Sequence, residues 1–76
     1  MSENEWINIF GDNLKDILRE CDMTQRDLAR EMGVEESTIS SYIHKRKMIS
    51  TKNLINMSQI LCVSIDELAN FDSMVD

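Results

Sequence analysis

The sequence predicts an all-α fold, a single domain built from five short helices. Its 76 residues are enough for one domain with a small core. Proline is absent and glycine occurs only twice, so few residues in the chain interrupt helices. Apolar residues also recur at helical spacing along the chain, as amphipathic helices require. Short helices are therefore the simplest way for this chain to bury a core.

Helix 1 is predicted over roughly residues 8–21. Its apolar stripe follows the i, i+4, i+7, i+8, i+11 spacing of one helix face. The stripe consists of Phe10, Leu14, Ile17, Leu18 and Cys21. Trp6 lies four residues before Phe10, so an earlier start of the helix would place both aromatic rings on one face. Trp6 is interpreted either as the edge of the core or as a contact to a second copy or another partner.

The pattern of residues 24–47 indicates a helix, a tight turn, a second helix and a basic tail. Thr24 is a preferred N-cap residue, and Asp27 follows three residues later, close to a capping box. Three apolar residues at helical spacing come next, which predicts helix 2 over residues 25–32. Gly33 then ends this helix, because glycine enters a positive-φ turn without steric cost.

Helix 3 is predicted to begin near Glu35 or Glu36 and to have two contrasting faces. Ile39, with either Tyr42 or Ile43, forms the inner stripe. The outer stripe is small and polar, and a basic tail follows it. These residues are Ser37, Ser40, Ser41 and His44 on the stripe and Lys45, Arg46 and Lys47 in the tail. The arrangement is that of a helix-turn-helix, whose second helix lies in a groove of DNA.

Two further helices complete the predicted fold. Ser50 or Thr51 is expected to cap helix 4, and Ser64 with Glu67 forms an S-x-x-E capping box for helix 5. The residues expected to face the core are Leu54, Met57, Ser58 and Leu61 in helix 4, widened by Ile55 and Ile60, and Ile65, Leu68 and Ala69 in helix 5.

Four segments of the chain resemble the Cro and phage-repressor type of helix-turn-helix protein, the XRE family. They are FGDNLKDILREC, MTQRDLAREMGV, ESTISSYIHKRK and LINMSQILCVSIDEL, and they cover roughly residues 9–69. The resemblance implies a compact five-helix domain like that of lambda repressor over these residues. Residues 1–8 would then be an N-terminal extension or the start of helix 1, and residues 70–76 an acidic C-terminal tail.

The same resemblance implies a sequence-specific DNA-binding transcriptional regulator, with a repressor as the expected role. The expected partner is double-stranded DNA, a pseudo-palindromic operator bound by a homodimer at half-sites about 34 Å apart, one turn of DNA. The sequence departs from the family at His44 and Lys45, where asparagine or another polar residue and then glycine are more frequent. Ile49 also stands where the family often has proline. These departures leave the path of residues 45–49 open.

The expected base-reading residues are Glu36, Ser37, Ser40 and Ser41. Short hydroxyls such as those of Ser37 and Ser41 let a helix approach base edges closely, and they can donate or accept a hydrogen bond. Glu36 could accept a hydrogen bond from the amino group of cytosine. A glutamate there also suits the positive end of a helix without any DNA, so both interpretations of Glu36 stay open.

The expected phosphate-binding residues are Gln25, His44, Lys45, Arg46, Lys47 and Lys52. Gln25 stands in the first turn of helix 2, where its amide and the backbone N–H groups can meet a phosphate. The family resemblance makes it a backbone-contacting position, and a plain solvated glutamine is the alternative. The cations after helix 3 are placed to reach phosphates that flank the groove.

The net charge of −6 contrasts with the basic surfaces typical of DNA-binding proteins. The distribution of charge matters more than the sum. Residues 1–36 contain ten acids and four bases, residues 37–65 contain four bases and no acid, and residues 66–76 contain four acids. The one acid-free block therefore coincides with helix 3 and the residues after it. Chance clustering in an acidic protein is the alternative explanation.

The composition argues against several other classes of protein. No apolar run approaches the roughly 20 residues of a membrane span, and the acidic N-terminus lacks the features of a secretory signal. Cys21 and Cys62 do not have the spacing of a metal site or a disulfide framework. We expect both to be reduced and mostly buried in a cytoplasmic protein. With one histidine and no catalytic or metal-binding cluster, we expect no enzyme, no metal, no other cofactor and no small-molecule ligand.

A dimer surface is expected, but the sequence does not locate it. The candidates are Trp6, Phe71, Met74 and Val75. The main alternative function is a protein-interaction module, such as an antitoxin or an anti-repressor partner, that uses its acidic faces for contact. The net charge and the adjacent Glu35 and Glu36 favour this alternative.

Overall fold

A computed structural model describes residues 2–69 and folds them into five α-helices. The helices are α1 (Glu3–Glu20), α2 (Gln25–Met32), α3 (Glu36–Ile43), α4 (Thr51–Leu61) and α5 (Ile65–Ala69), and the described part of the chain contains no strand. The prediction of an all-α fold with five helices is confirmed. Within residues 2–69, none of the helices has the length and apolar character needed to span a membrane.

Helix α1 begins earlier than the apolar stripe alone predicts. Ser2 is its N-cap, and the Ser2 hydroxyl accepts a hydrogen bond from the N–H of Glu5 at 3.2 Å. Glu3 and Glu5 lie in the first turn, where negative charge favours the positive end of the helix. The early start stacks the rings of Trp6 and Phe10, with centroids 5.2 Å apart. The expectation that an early start places both rings on one face is confirmed.

The core takes side chains from all five helices. α1 packs against α3 and α5, α2 packs against α3 and α4, and α4 also contacts α5. Phe10 of α1 meets Tyr42 of α3 edge-on, with ring centroids 6.1 Å apart. The second inner residue of α3 is therefore Tyr42, and Ile43 is only half-buried. The largest fully buried side chains are Phe10, Leu14, Leu28, Ile39, Tyr42, Met57 and Leu68.

The caps of the last two helices follow the predicted serines. The Ser50 hydroxyl accepts from the N–H of Asn53 at 3.2 Å, so Ser50, and not Thr51, caps α4. The Ser64 hydroxyl accepts from the N–H of Glu67 at 3.0 Å and starts α5. A further link joins α4 to α3, because the Asn53 side-chain amide donates to the Tyr42 hydroxyl at 3.3 Å.

Four apolar positions differ from the prediction. Cys21 lies beyond the end of α1 and is exposed, and Cys62 is exposed at the left-handed C-cap of α4, with φ 56°. The expectation that both cysteines are mostly buried is therefore wrong, and neither forms a disulfide. Ile55 is 42% exposed and does not widen the core face of α4. Ile65, expected to point inward, is half-buried.

Gly11 lies where α1 crosses the C-terminal end of α3. A Cβ atom added at Gly11 would lie 2.8 Å from the carbonyl oxygen of Tyr42, 3.1 Å from that of Ile43 and 3.1 Å from Cγ of Lys45. Contacts with backbone oxygens cannot be relieved by rotating a side chain. Gly11 therefore permits the close approach of α1 to α3, which explains a residue that otherwise weakens a helix.

Gly11→Ala should destabilise the protein, although alanine is the better helix former by about 1 kcal/mol. Separating the two helices is expected to lower the free energy of unfolding by about 1–2 kcal/mol net, measured by urea denaturation. The control is Asn8→Ala at an exposed position of the same helix, which should leave stability equal or slightly higher. A Gly11→Ala protein as stable as the wild type would contradict this account of the helix contact.

Candidate nucleic-acid interface

The predicted helix-turn-helix is formed by α2, α3 and the turn between them. Gly33 has φ 71°, and its N–H donates to the carbonyl of Arg30 at 3.2 Å. The N–H of Val34 donates to the carbonyl of Ala29 at 3.0 Å, and the Val34 side chain packs against the core. This pair of hydrogen bonds closes α2 in a Schellman motif. The turn holds α3 closely against α2.

The first turn of α2 is fixed by a complete capping box. The Thr24 hydroxyl accepts from the N–H of Asp27 at 3.0 Å, and the Asp27 carboxylate accepts from the N–H of Thr24 at 3.1 Å. The hydrogen bond from the Thr24 backbone is the largest influence that lowers the pKa of Asp27, followed by the Thr24 hydroxyl and the nearby Arg30 and Arg26. The N–H groups of Gln25 and Arg26 lie at the open end of the helix, where an anion can meet them.

The outer face of α3 carries the polar residues that the sequence predicts. Ile39 and Tyr42 face the core. Because successive helical residues turn by about 100°, Ser37, Ser41 and His44 lie on the opposite side. Ser37 and His44 are exposed, and Ser41 is half-buried. These three positions form one continuous polar line along α3.

The two serines on this line differ in the hydrogen bonds that they can make. The Ser41 hydroxyl donates to the main-chain oxygen of Ser37 at 2.8 Å. Because its only proton is used there, the Ser41 oxygen can only accept from an outside group. In a major groove it could accept from the amino group of cytosine or adenine. The exposed Ser37 hydroxyl can rotate to donate or accept.

His44 and Ser40 contact each other at the end of α3. His44 Nδ1 lies 2.9 Å from the Ser40 main-chain oxygen and 3.2 Å from the Ser40 hydroxyl. A carbonyl oxygen only accepts, so the hydrogen bond to it assigns a proton to Nδ1. In a neutral ring, Nε2 is then an acceptor, and it offers a phosphate no donor. The predicted phosphate contact of His44 therefore requires a protonated ring.

Glu36 forms an ion pair across the helix-turn-helix. The Arg26 Nε atom lies 3.6 Å from a Glu36 carboxylate oxygen, and the two side chains are 75% and 51% exposed. A pair this exposed contributes little to stability. It does place a cation of α2 beside the carboxylate of α3, which offsets the negative charge that Glu36 would bring to DNA. Glu35 is exposed at the N-cap of α3 and forms no side-chain capping bond.

The turn after α3 is left-handed although lysine occupies the position where glycine is common. Lys45 has φ 64°, and its N–H donates to the carbonyl of Tyr42 at 3.2 Å. The N–H of Arg46 donates to the carbonyl of Ser41 at 2.9 Å. These bonds form a second Schellman motif. Ile49 then packs into the core. The path of residues 45–49 is thus set by a strained lysine and an apolar anchor.

The four predicted phosphate-binding cations of residues 45–52 are not equivalent. Lys45 Nζ lies 2.9 Å from a carboxylate oxygen of Asp12, so its charge is paired with α1. Arg46, Lys47 and Lys52 are exposed and form no ion pair within residues 2–69. These three cations are therefore better placed than Lys45 to bind phosphates.

A groove beside the first turn of α2 contains two cations that the sequence did not assign to the site. Lys15 and Arg19 of α1 line it, opposite Thr24 and Gln25. The sequence places both cations on the solvated side of helix 1, but it gives no sign that this side lies next to α2. Among residues 2–69, no group of acidic, histidine and cysteine side chains is arranged to hold a metal ion.

The dimer candidates are only partly described. Trp6 is half-buried and lines a second groove with Met48, Ile49, Thr51 and Leu54. Phe71, Met74 and Val75 lie outside the described residues. The dimer surface stays a prediction.

Comparison with known proteins identifies a family and a relative. The helix-turn-helix family model HTH_3 matches residues 14–68. The chain is 32% identical over 65 residues to an uncharacterized HTH-type transcriptional regulator, YqaE of Bacillus subtilis (strain 168). That match covers 86% of this chain but 56% of the relative, so the chain spans little more than half of the relative's length.

Two solved structures share the fold. A hypothetical transcription factor, NHTF from Neisseria, superposes on this chain with a TM-score of 0.80 and is 21% identical to it. The superposition covers 91% of this chain and 80% of the NHTF chain. The restriction-modification controller protein C.AhdI from Aeromonas hydrophila superposes on this chain with a TM-score of 0.77 and is also 21% identical to it. The superposition covers 82% of this chain and 94% of the C.AhdI chain. The fold around the α2–α3 surface is therefore a recurrent one.

Asp27→Asn should make the protein less stable at neutral pH, because it removes the charge that the capping box holds. The folded-state pKa of Asp27 is lowered, so its carboxylate stabilises the fold above the unfolded value of about 4. This contribution is lost as the pH falls through the lower folded value. The difference between wild-type and Asp27→Asn urea midpoints should therefore narrow below about pH 4. A difference independent of pH would contradict this role.

Proposed function

We propose, from the premise that this chain belongs to the HTH_3 helix-turn-helix family of the XRE type, that it binds DNA sequence-specifically as a transcriptional regulator. The observation that carries the proposal is the outer face of α3. Ser37, Ser41 and His44 lie along this face, and the exposed Arg46 and Lys47 follow directly. A narrow polar helix face with cations at its end suits the major groove and its flanking phosphates.

Base reading is assigned to the first turns of α3. Ser37 can donate or accept, whereas Ser41 accepts only, which favours a cytosine or adenine amino group as its partner. Glu36 accepts from cytosine in the same way, with Arg26 beside it. Ser40 lies at the flank of the face, where its hydroxyl contacts His44.

Phosphate binding is assigned to two places on either side of α3. Gln25 and the open N–H groups of α2 form the first. Arg46 and Lys47, with Lys52 in the first turn of α4, form the second. Lys45 contributes less because Asp12 already holds its ammonium group, and His44 contributes only when its ring is protonated.

The charge distribution supports one orientation on DNA. The chain has a net charge of −6, yet residues 37–65 contain four bases and no acid. An acidic protein whose unpaired cations are concentrated on one face is repelled by DNA in other orientations. The acidic faces would then favour correct docking over nonspecific binding.

The proposed regulator acts as a homodimer in the cytoplasm. Two copies would place their α3 helices in successive major grooves about 34 Å apart, on a pseudo-palindromic operator. Repression, by occupation of the operator, is the proposed outcome. The proposed contacts between copies are Trp6, Phe71, Met74 and Val75.

A protein-interaction module, such as an antitoxin or an anti-repressor partner, is the second candidate function. The observation that favours it is the pair of exposed glutamates, Glu35 and Glu36, at the start of α3. A basic partner protein could bind there in place of DNA.

Selection from a random duplex pool at about 50 mM salt, where phosphate-driven binding is strong, tests the proposal. The wild-type protein should enrich a motif with two half-sites one turn apart. A Ser37→Ala/Ser41→Ala variant should lose preference at specific base positions, at about 1–3 kcal/mol for each lost contact. The control, Gln59→Ala at an exposed position of α4, should enrich the wild-type motif. No enrichment by the wild type would refute DNA reading and favour a protein partner.

An Arg46→Gln/Lys47→Gln variant should bind DNA more weakly without changing the preferred sequence. Each lost phosphate contact should reduce the slope of log K against log salt by about 0.9, so the double variant should lose about 1.8. Titrations of one duplex at several salt concentrations measure this slope. Lys45→Gln should change it less, because Asp12 pairs with Lys45. An unchanged slope for the double variant would remove these two residues from the interface.

A further inference from the structure

The groove beside α2 combines an apolar floor with a cationic wall. Leu18, Met23 and Ile43 supply its apolar lining. Lys15 and Arg19 stand on the α1 side, and they are four residues apart, so they project from the same face of the helix. The opposite side is the first turn of α2, which contains Gln25. The groove also reaches Ile43, the last residue of α3, and through Gln25 it adjoins the first proposed phosphate-binding place.

The basic residues of α1 line this groove, whereas its acidic residues lie elsewhere on the helix. α1 contains five acids and only two bases, and both bases line the groove while none of the acids does. Asp12 forms an ion pair with Lys45, and Asp16 forms one with Arg19. An acidic helix that directs its only cations to one groove is electrostatically complementary to an anion there.

The existing ion pair of Arg19 would not prevent such a contact. Arg19 Nη1 lies 3.6 Å from Asp16, with the two side chains 72% and 63% exposed. Exposed pairs of this kind are weak and exchange readily for another anion. Lys15 is exposed and forms no ion pair within residues 2–69.

We infer that the DNA contact extends onto α1, where Lys15 and Arg19 bind phosphate oxygens of the strand that passes the first turn of α2. This inference rests on the proposed function and adds to it a third place of backbone contact. It requires no base contact from α1. The two cations would position α2, and through the turn at Gly33 the reading helix α3, against the groove.

Arg30 provides a matched control for Arg19. Both arginines lie in the last turn of their helix, both pair with an aspartate three residues earlier at 3.6–3.7 Å, and they are 71% and 72% exposed. Only Arg19 lines the groove. Any general effect of removing one cation from an acidic protein should therefore be the same in Arg19→Gln and Arg30→Gln.

The experiment measures the salt dependence of binding to the duplex selected by the wild-type protein. Lys15→Gln and Arg19→Gln should each reduce the slope by about 0.9 and their combination by about 1.8, with the base preference unchanged. Arg30→Gln should leave the slope at the wild-type value. The inference is overturned if the α1 variants behave like Arg30→Gln while Arg46→Gln/Lys47→Gln lowers the slope. If the wild type binds no duplex selectively, the proposed function itself has failed, and this inference fails with it.

Discussion

The close approach of α1 to the C-terminal end of α3 is the constraint on which the rest of the structure depends. Gly11 allows backbone of α1 to lie against the carbonyls of Tyr42 and Ile43, where a single Cβ would collide at 2.8 Å. The aromatic contact of Phe10 with Tyr42 fills the space beside it. At this crossing Lys45, which follows α3, lies 2.9 Å from Asp12 of α1. A loosely held α1 would leave the reading helix without one of the two helices that hold it in place.

Two ion pairs between helices and the turn after α3 determine which charges are available to a nucleic acid. The pairs between Lys45 and Asp12 and between Arg26 and Glu36 place acids of the chain beside cations. Arg46, Lys47 and Lys52 stay exposed in the acid-free block. A net charge of −6 is thereby compatible with a cationic face, because electrostatic interaction with DNA depends on the charges nearest to the phosphates. The proposed binding requires that acids near α3 are paired with cations and that the cations after α3 remain free to meet flanking phosphates.

Local signals in the sequence predicted where most of the helices begin or end. Caps and turn residues act within a few positions, so Thr24, Gly33 and Ser50 marked helix ends that the structure confirms. Contacts between helices carry no such signal. Gly11 could be interpreted only as a weak helix residue, and Lys15 and Arg19 only as solvated cations, until the position of α1 beside α2 and α3 was known. Cys21 was misassigned because the apolar spacing continued to the C-cap position, where α1 has ended and the left-handed residue Asp22 follows.

Amide chemical-shift mapping with the selected duplex would test the central claim most directly, namely that an acidic chain meets DNA through one face built on α3. The account predicts the largest shifts at residues 24–26 and 36–47, with small shifts in α5 and in the acidic first turn of α1. Shifts centred on α5, or on Glu3 and Glu5, would contradict it. Such a result would mean that the helix-turn-helix faces away from the nucleic acid and that another surface makes the contact.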